Sequence, residues 1–249
     1  MNEFKMSLFQ NPIAPQRDAQ GRILKPATLT PVMEVSPAEV HQLITCNEPL
    51  RIATGQVRQA ADVRAAKASL LPYVTPCGVF SRRNCQSLLH PSGLVVIDID
   101  HLDSLQEAER MRRTLFDDAF LRPTLCFVSP GGRGVKAFIP YRTDILPDCA
   151  PDAAEQMFWA MNYVELTYGG SQKDRLAGKG IDTSGKDIVR ACFLCHDPEA
   201  LLRKGDLEGV ITPLRSPRES KGSYRSLCSL KELKGVITPL RSVQGVKGQ

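Results

Sequence analysis

The chain has 249 residues, 42% of them hydrophobic, and a formal charge of +5, enough for one sizeable core with appendages. No run of about 18 apolar residues occurs, which excludes a membrane-spanning helix. Residues 200–249 hold 10 Lys/Arg against 4 Asp/Glu, leaving 22 against 23 in the first 199, so the positive charge belongs to the tail and the rest is not a general polyanion binder by composition.

The amino terminus, MNEFKMSLFQNPIAPQRDAQGR, lacks the long apolar stretch of a secretory signal. A cytoplasmic protein is therefore expected, with its eight cysteines mostly reduced. Residues 1–33 are polar, contain prolines and read as an extended lead-in. SPAEVHQLITC then carries helix-start chemistry, with Ser36 as N-cap, Pro37 at the first helical position and Glu39 three residues after the cap. A second helix is predicted from Ala60 to Leu71 and is stopped by Pro72. CGVFSRRN follows as a strand or loop, and GLVVIDID (93–100) as an apolar strand. A helix is predicted from Ser104 to Phe120, with Ser104 and Glu107 spaced as another capping box.

TLCFVS (124–129) reads as a second strand, PGGRG (130–134) as a turn and VKAFIP (135–140) as a third strand. Apolar residues at 154, 157, 158, 161, 164 and 168 have helical spacing, and Gly169–Gly170 terminate that helix. DIVRACFLC (187–195) reads as a further strand. Strands and helices mix throughout, which predicts an α/β or α+β domain over residues 34–200. Beyond it, residues 201–249 form a basic tail in which GVITPLRS occurs at 209–216 and again at 235–242. Two copies are too few for a solenoid, and a poorly ordered tail without chemistry is expected.

The chemistry concentrates where GLVVIDID ends. Residues i and i+2 of a strand face the same side, so Asp98 and Asp100 project together. Two adjacent carboxylates repel unless one takes a proton or a cation compensates them, and Mg²⁺ or Mn²⁺ suits carboxylate oxygens. A strand end with both carboxylates in solvent is the plainer alternative. SPGGRGVK (129–136) adds glycines that let a backbone approach a phosphate, with Arg133 and Lys136 as cations; an ordinary glycine-rich hairpin is the alternative there. In GIDTSGKDIVRACF (180–193), Asp182 is the candidate third carboxylate, while Asp187 and Arg190 are spaced for a structural pair. CFLCH (192–196) has the pattern of haem c attachment, but no export signal accompanies it and no second Cys pair completes a zinc site. Leu102 stands where the acidic motif of haloacid-dehalogenase phosphatases carries a hydroxyl residue, which argues against that chemistry. His101 is expected to face solvent.

Together LPYVTPCGVFSRRNCQSLLHPSGLVVIDID, FVSPGGRGVKAFIP and GIDTSGKDIVRACFLCHDP resemble the VirE amino-terminal domain family over roughly residues 50–200. That family occurs in bacterial mobile-element and replication proteins, often ahead of a helicase-type ATPase. It is similar in turn to the archaeo-eukaryotic primase (primase-polymerase) superfamily. The resemblance implies a primase-like mixed or antiparallel central sheet flanked by helices. It implies Asp98, Asp100 and Asp182 as catalytic metal ligands for Mg²⁺ or Mn²⁺. It also implies a phosphate cradle of Ser129, Gly131, Gly132, Arg133, Gly134, Lys136 and Arg190, with Lys136 where that superfamily places a histidine. The implied activity is two-metal nucleotidyl transfer on a nucleoside triphosphate and DNA, with a helicase-type ATPase as partner and Arg82 and Arg83 near a template. The alternative is a catalytically inactive nucleic-acid-binding module that serves such an ATPase.

Overall fold

The computed structural model describes residues 4–140, 153–168, 180–181 and 187–203; of the expected tail only residues 201–203 are among them, and the duplicated segment and Gly169–Gly170 lie outside. Met6–Phe9 (β1), within the expected lead-in, is a fully buried strand. A small hairpin of Gln16–Arg17 (β2) and Ile23–Lys25 (β3) follows, then Met33–Val35 (β4). Helix α1 (Pro37–Cys46) starts as its sequence predicts: the Ser36 hydroxyl accepts from the Glu39 amide, and the Glu39 carboxylate accepts from the Ser36 amide.

Asn47 ends α1 and also caps the next helix, α2 (Glu48–Gln59), its Oδ1 accepting from the Leu50 amide at 2.8 Å. Helix α2 is absent from the sequence expectation. Its buried Leu50, Ala53, Thr54 and Val57 have helical spacing, but the stretch carries Pro49 and Gly55 and follows the preceding helix without a linker. The helix expected from Ala60 is α3 (Val63–Leu70), capped by Asp62. Strands β5 (Tyr73–Thr75), β6 (Gly78–Phe80), β7 (Leu88–Pro91) and β8 (Leu94–Asp100) come next. Helix α4 (Leu105–Phe116) is capped by Ser104 and stops four residues short of the expected end. There the Asp118 carboxylate accepts from the Phe120 and Leu121 amides and turns the chain.

The remaining elements are β9 (Leu125–Val128), β10 (Val135–Pro140), α5 (Ala153–Tyr168), β11 (Gly180–Ile181), β12 (Cys192–Phe193) and β13 (Leu201–Leu202). Of the strand expected over 187–195, only Cys192–Phe193 pairs. Asp187 folds the start of that stretch into a turn, its Oδ1 accepting from the Val189 amide and its carbonyl from the Arg190 amide.

Beside the two-stranded pairs β2-β3 and β6-β7, the described residues form two larger antiparallel sheets, one of four strands in the order β12-β5-β1-β4 and one of five in the order β11-β8-β10-β9-β13. The mixed α/β class is as expected. β8 separates two cores. Its Leu94 and Val96 join Met6, Leu8 and Val74 of the smaller sheet and Leu43 and Leu50 of α1 and α2. Its Val95, Ile97 and Ile99 pack under α4 and α5, against Ala108, Leu115, Ala160 and Val164. Asp98 and Asp100 continue the first of these faces.

Leu8 is fully buried and lies opposite both Met33 and Val74. Leu8→Ala should therefore cost about 2–5 kcal/mol, seen as a lower urea midpoint at unchanged slope. A change within about 0.5 kcal/mol, the range of surface substitutions, would return residues 1–33 to a loosely attached lead-in.

Candidate functional site

The site is built on the pairing of β8 with β10, whose register sets Lys136 opposite Asp98 and Val135 opposite Ile99. Side chains directly opposite on one sheet face are neighbours. The Lys136 ammonium accordingly donates to Asp98 Oδ2, and both residues are buried, at 7% and 9% exposure. Burial alone would pull the Lys136 ammonium down, but the contacting Asp98 carboxylate outweighs it and holds the lysine pKa above its ordinary value. Arg190, in the turn before β12, brings its Nη2 to 3.6 Å from the same oxygen. The other oxygen, Asp98 Oδ1, is buried and accepts no hydrogen bond from the described residues.

Asp100 lies one step further along the same face and is partly exposed. Burial, and then the negative charge of Asp98, push its carboxyl above the ordinary value, while Lys136, Lys67 and His101 act in the opposite direction. The chain leaves the site at once. His101 takes a positive φ of 62° and is exposed, as expected.

The glycine-rich turn closes the end of the site. The Ser129 amide donates to the Gly134 carbonyl and the Gly132 amide to the Ser129 carbonyl, with Gly132 at φ +75°. Gly134 is where the turn must be bare: a Cβ there would lie 2.4 Å from the Ile99 carbonyl oxygen, 2.9 Å from Ser129 Oγ and 3.0 Å from Asp100 Oδ1. Ser129, Gly134 and Asp100 thus meet at one point. Gly131 and Gly132 instead face helices: Val63 of α3 lies 3.8 Å from a Cβ built on Gly131, and Arg58 of α2 lies 3.6 Å from one built on Gly132.

The expected phosphate cradle is therefore divided. Arg133 is exposed, and its Nε donates to the Leu102 carbonyl at 2.8 Å, while the Lys136 charge is directed into the protein at Asp98. Arg83 packs inward too, over the Tyr73 ring and against the Ile13 carbonyl, leaving Arg82 as the exposed member of that pair. Asp187 and Arg190 use their side chains separately, Asp187 on Val189 and Cys85, Arg190 on Asp98. Cys192 and Cys195 are fully buried, and Cys195 donates to the Val128 carbonyl. Asp182 lies outside the described residues; β11, which ends one residue before it, pairs with Asp100 and Ile99. Among the described residues no group of three His, Cys, Asp or Glu side chains is arranged to hold a metal ion.

Lys67 and Arg58 were not anticipated, because each reads in sequence as a solvated helical cation. Only the packing of α2 and α3 over the turn brings them to the site. A second buried ion pair shows by contrast what is special about Asp98. Arg112 Nη1 donates to both oxygens of Asp197, which also accept from the Val128 and Glu199 amides. Asp197 is saturated with partners, as a structural carboxylate should be. Among the described residues, Asp98 has one oxygen bonded to Lys136 and close to Arg190, and the other left open.

The family described as BT4734-like, N-terminal domain, matches residues 65–202. The chain belongs to this family. The match runs from within α3 to β13 and contains Lys67, Asp98, Asp100, Lys136 and Arg190; β1, α1 and α2 precede it yet share its core. Comparison with curated proteins and with solved structures gives no significant match.

Gly134→Ala should destabilise the chain by about 1–3 kcal/mol or more, since the new methyl meets backbone, whereas Gly131→Ala should be near neutral; equal midpoints in urea would show that the turn has slack. Asp100→Asn should stabilise the metal-free chain at neutral pH. An acid whose folded pKa is raised costs stability when ionised, so the gain should be present above the folded pKa and vanish as pH falls below the unfolded value of about 3.9. Thermal melts across that range check the sign.

Proposed function

We propose that the end of β8 binds a divalent cation together with a nucleoside triphosphate, in a primase-polymerase-like module that serves replication of bacterial mobile elements. The observation that carries this reading is the open oxygen of Asp98: a buried carboxylate oxygen without a partner among the described residues, on the same strand face as Asp100. Two carboxylates with one open oxygen fit a hard, oxygen-seeking ion such as Mg²⁺ or Mn²⁺. Asp98 and Asp100 would hold it, with Asp182 proposed as the third ligand. Such an ion, when bound, supplies positive charge that lowers the pKa of an attacking hydroxyl and offsets charge on the phosphates.

The chain's own part is positioning and neutralisation. Arg190 and Lys67 would offset phosphate charge at the rim. The Gly134 position, bare of side chain, lets Ser129 and Asp100 approach the same point. A helicase-type ATPase is the proposed partner. The second reading, a catalytically inactive nucleic-acid-binding module, is favoured by the Lys136–Asp98 ion pair, which already compensates one of the two carboxylates.

Primer synthesis and extension with Mg²⁺ or Mn²⁺, run beside nucleotide- and DNA-binding titrations, decide between them. If the first reading holds, synthesis occurs and Asp98→Asn, Asp100→Asn and Asp182→Asn each remove nearly as much of it as all three together. DNA binding without synthesis under any metal moves the conclusion to the second reading. A chain that binds neither nucleotide nor DNA refutes both.

A further inference from the structure

We infer that the Lys136 ammonium is a resident cation of the acidic site, which a divalent ion must displace or share Asp98 with, so that Lys136 sets the site's affinity for metal. The inference rests on the reading of Asp98 and Asp100 as the metal ligands. Two carboxylates on one strand face would repel each other in a metal-free fold. Here Asp98 Oδ2 receives the Lys136 ammonium and lies 3.6 Å from the Arg190 guanidinium, so one of the two carboxylates is already met by positive charge.

The arrangement follows from the register, which places Lys136 and Asp98 directly across from one another. It also follows from burial, since Lys136 at 7% exposure has little solvent to retreat into. A divalent ion taking the open Asp98 Oδ1 would arrive within the same carboxylate group that the ammonium holds. Like charges that close in a poorly solvated site repel strongly. The resident ammonium therefore keeps the site folded and charged without metal, and weakens the binding of a bare ion. The structural carboxylate Asp197, both of whose oxygens accept hydrogen bonds, offers no comparable opening.

The experiment is a Mn²⁺ titration read by loss of the free-ion paramagnetic signal, on the full chain, its Lys136→Met variant and an Asp98→Asn/Asp100→Asn control. The expected result is Mn²⁺ affinity at least tenfold higher in Lys136→Met than in the unmutated chain, and lost in the control. Equal affinity in the unmutated chain and Lys136→Met, again lost in the control, overturns the inference and leaves the metal reading standing. No binding to either overturns the metal reading itself. Removing one partner of a buried pair is strongly destabilising, so a second measurement uses the unmutated chain. The side-chain ammonium resonance of Lys136, followed during Mg²⁺ addition, should shift as the ion enters. A resonance that stays fixed while Mg²⁺ binds overturns the inference.

Discussion

Across six register pairs, from Val135 opposite Ile99 to Pro140 opposite Leu94, β8 and β10 are held together by a ladder on which both cores depend. The alternation of a strand makes this possible. Leu94 and Val96 seal the core against the smaller sheet, Val95, Ile97 and Ile99 seal the one under α4 and α5, and a slip of one residue would exchange the two sets. At the carboxyl end of β8 the same alternation, continued past the apolar residues, sets Asp98 and Asp100 on the inner face. The acidic site is the polar end of a hydrophobic face.

That position explains the electrostatics. A carboxylate at the rim of a core loses water and must be compensated. Asp98 obtains compensation from the strand partner directly opposite and from Arg190 across the gap to the smaller sheet. Asp100, at the very end, is less fully compensated, and its burial, then the negative charge of Asp98, push its carboxyl up. The turn that follows β9 tightens the arrangement, since Gly134 brings the backbone against Ile99 and leaves no room for a side chain between Asp100 and Ser129.

The contrast between the two buried ion pairs carries the functional argument. Asp197 ties α4, β9 and the segment after β12 together and has its acceptor capacity filled. Asp98, buried as well, has capacity left over among the described residues. A structural carboxylate with an open, dehydrated oxygen costs free energy, so an open oxygen is better accounted for by something that comes to fill it. The match to the BT4734-like family, over residues 65–202, includes both Asp98 and Asp197.

Much of this was legible in the sequence. The capping box of α1, the cap of α4, the strands β8, β9 and β10 and the shared face of Asp98 and Asp100 are local consequences of spacing, and local spacing is what a sequence displays. Burial of Met6–Phe9 was not legible, because four residues are too few to show a period and their partners, Met33–Val35 and Tyr73–Thr75, are distant in the chain. Nor was α2, whose proline and glycine mask a helix that packing secures. The residue types at the site, two aspartates, a glycine-rich turn, a lysine and an arginine, were determined by the sequence alone. Which of them touch was decided by tertiary structure: the register turned Lys136 from an outward phosphate ligand into the partner of Asp98, because a charge buried beside an opposite charge has nowhere better to go.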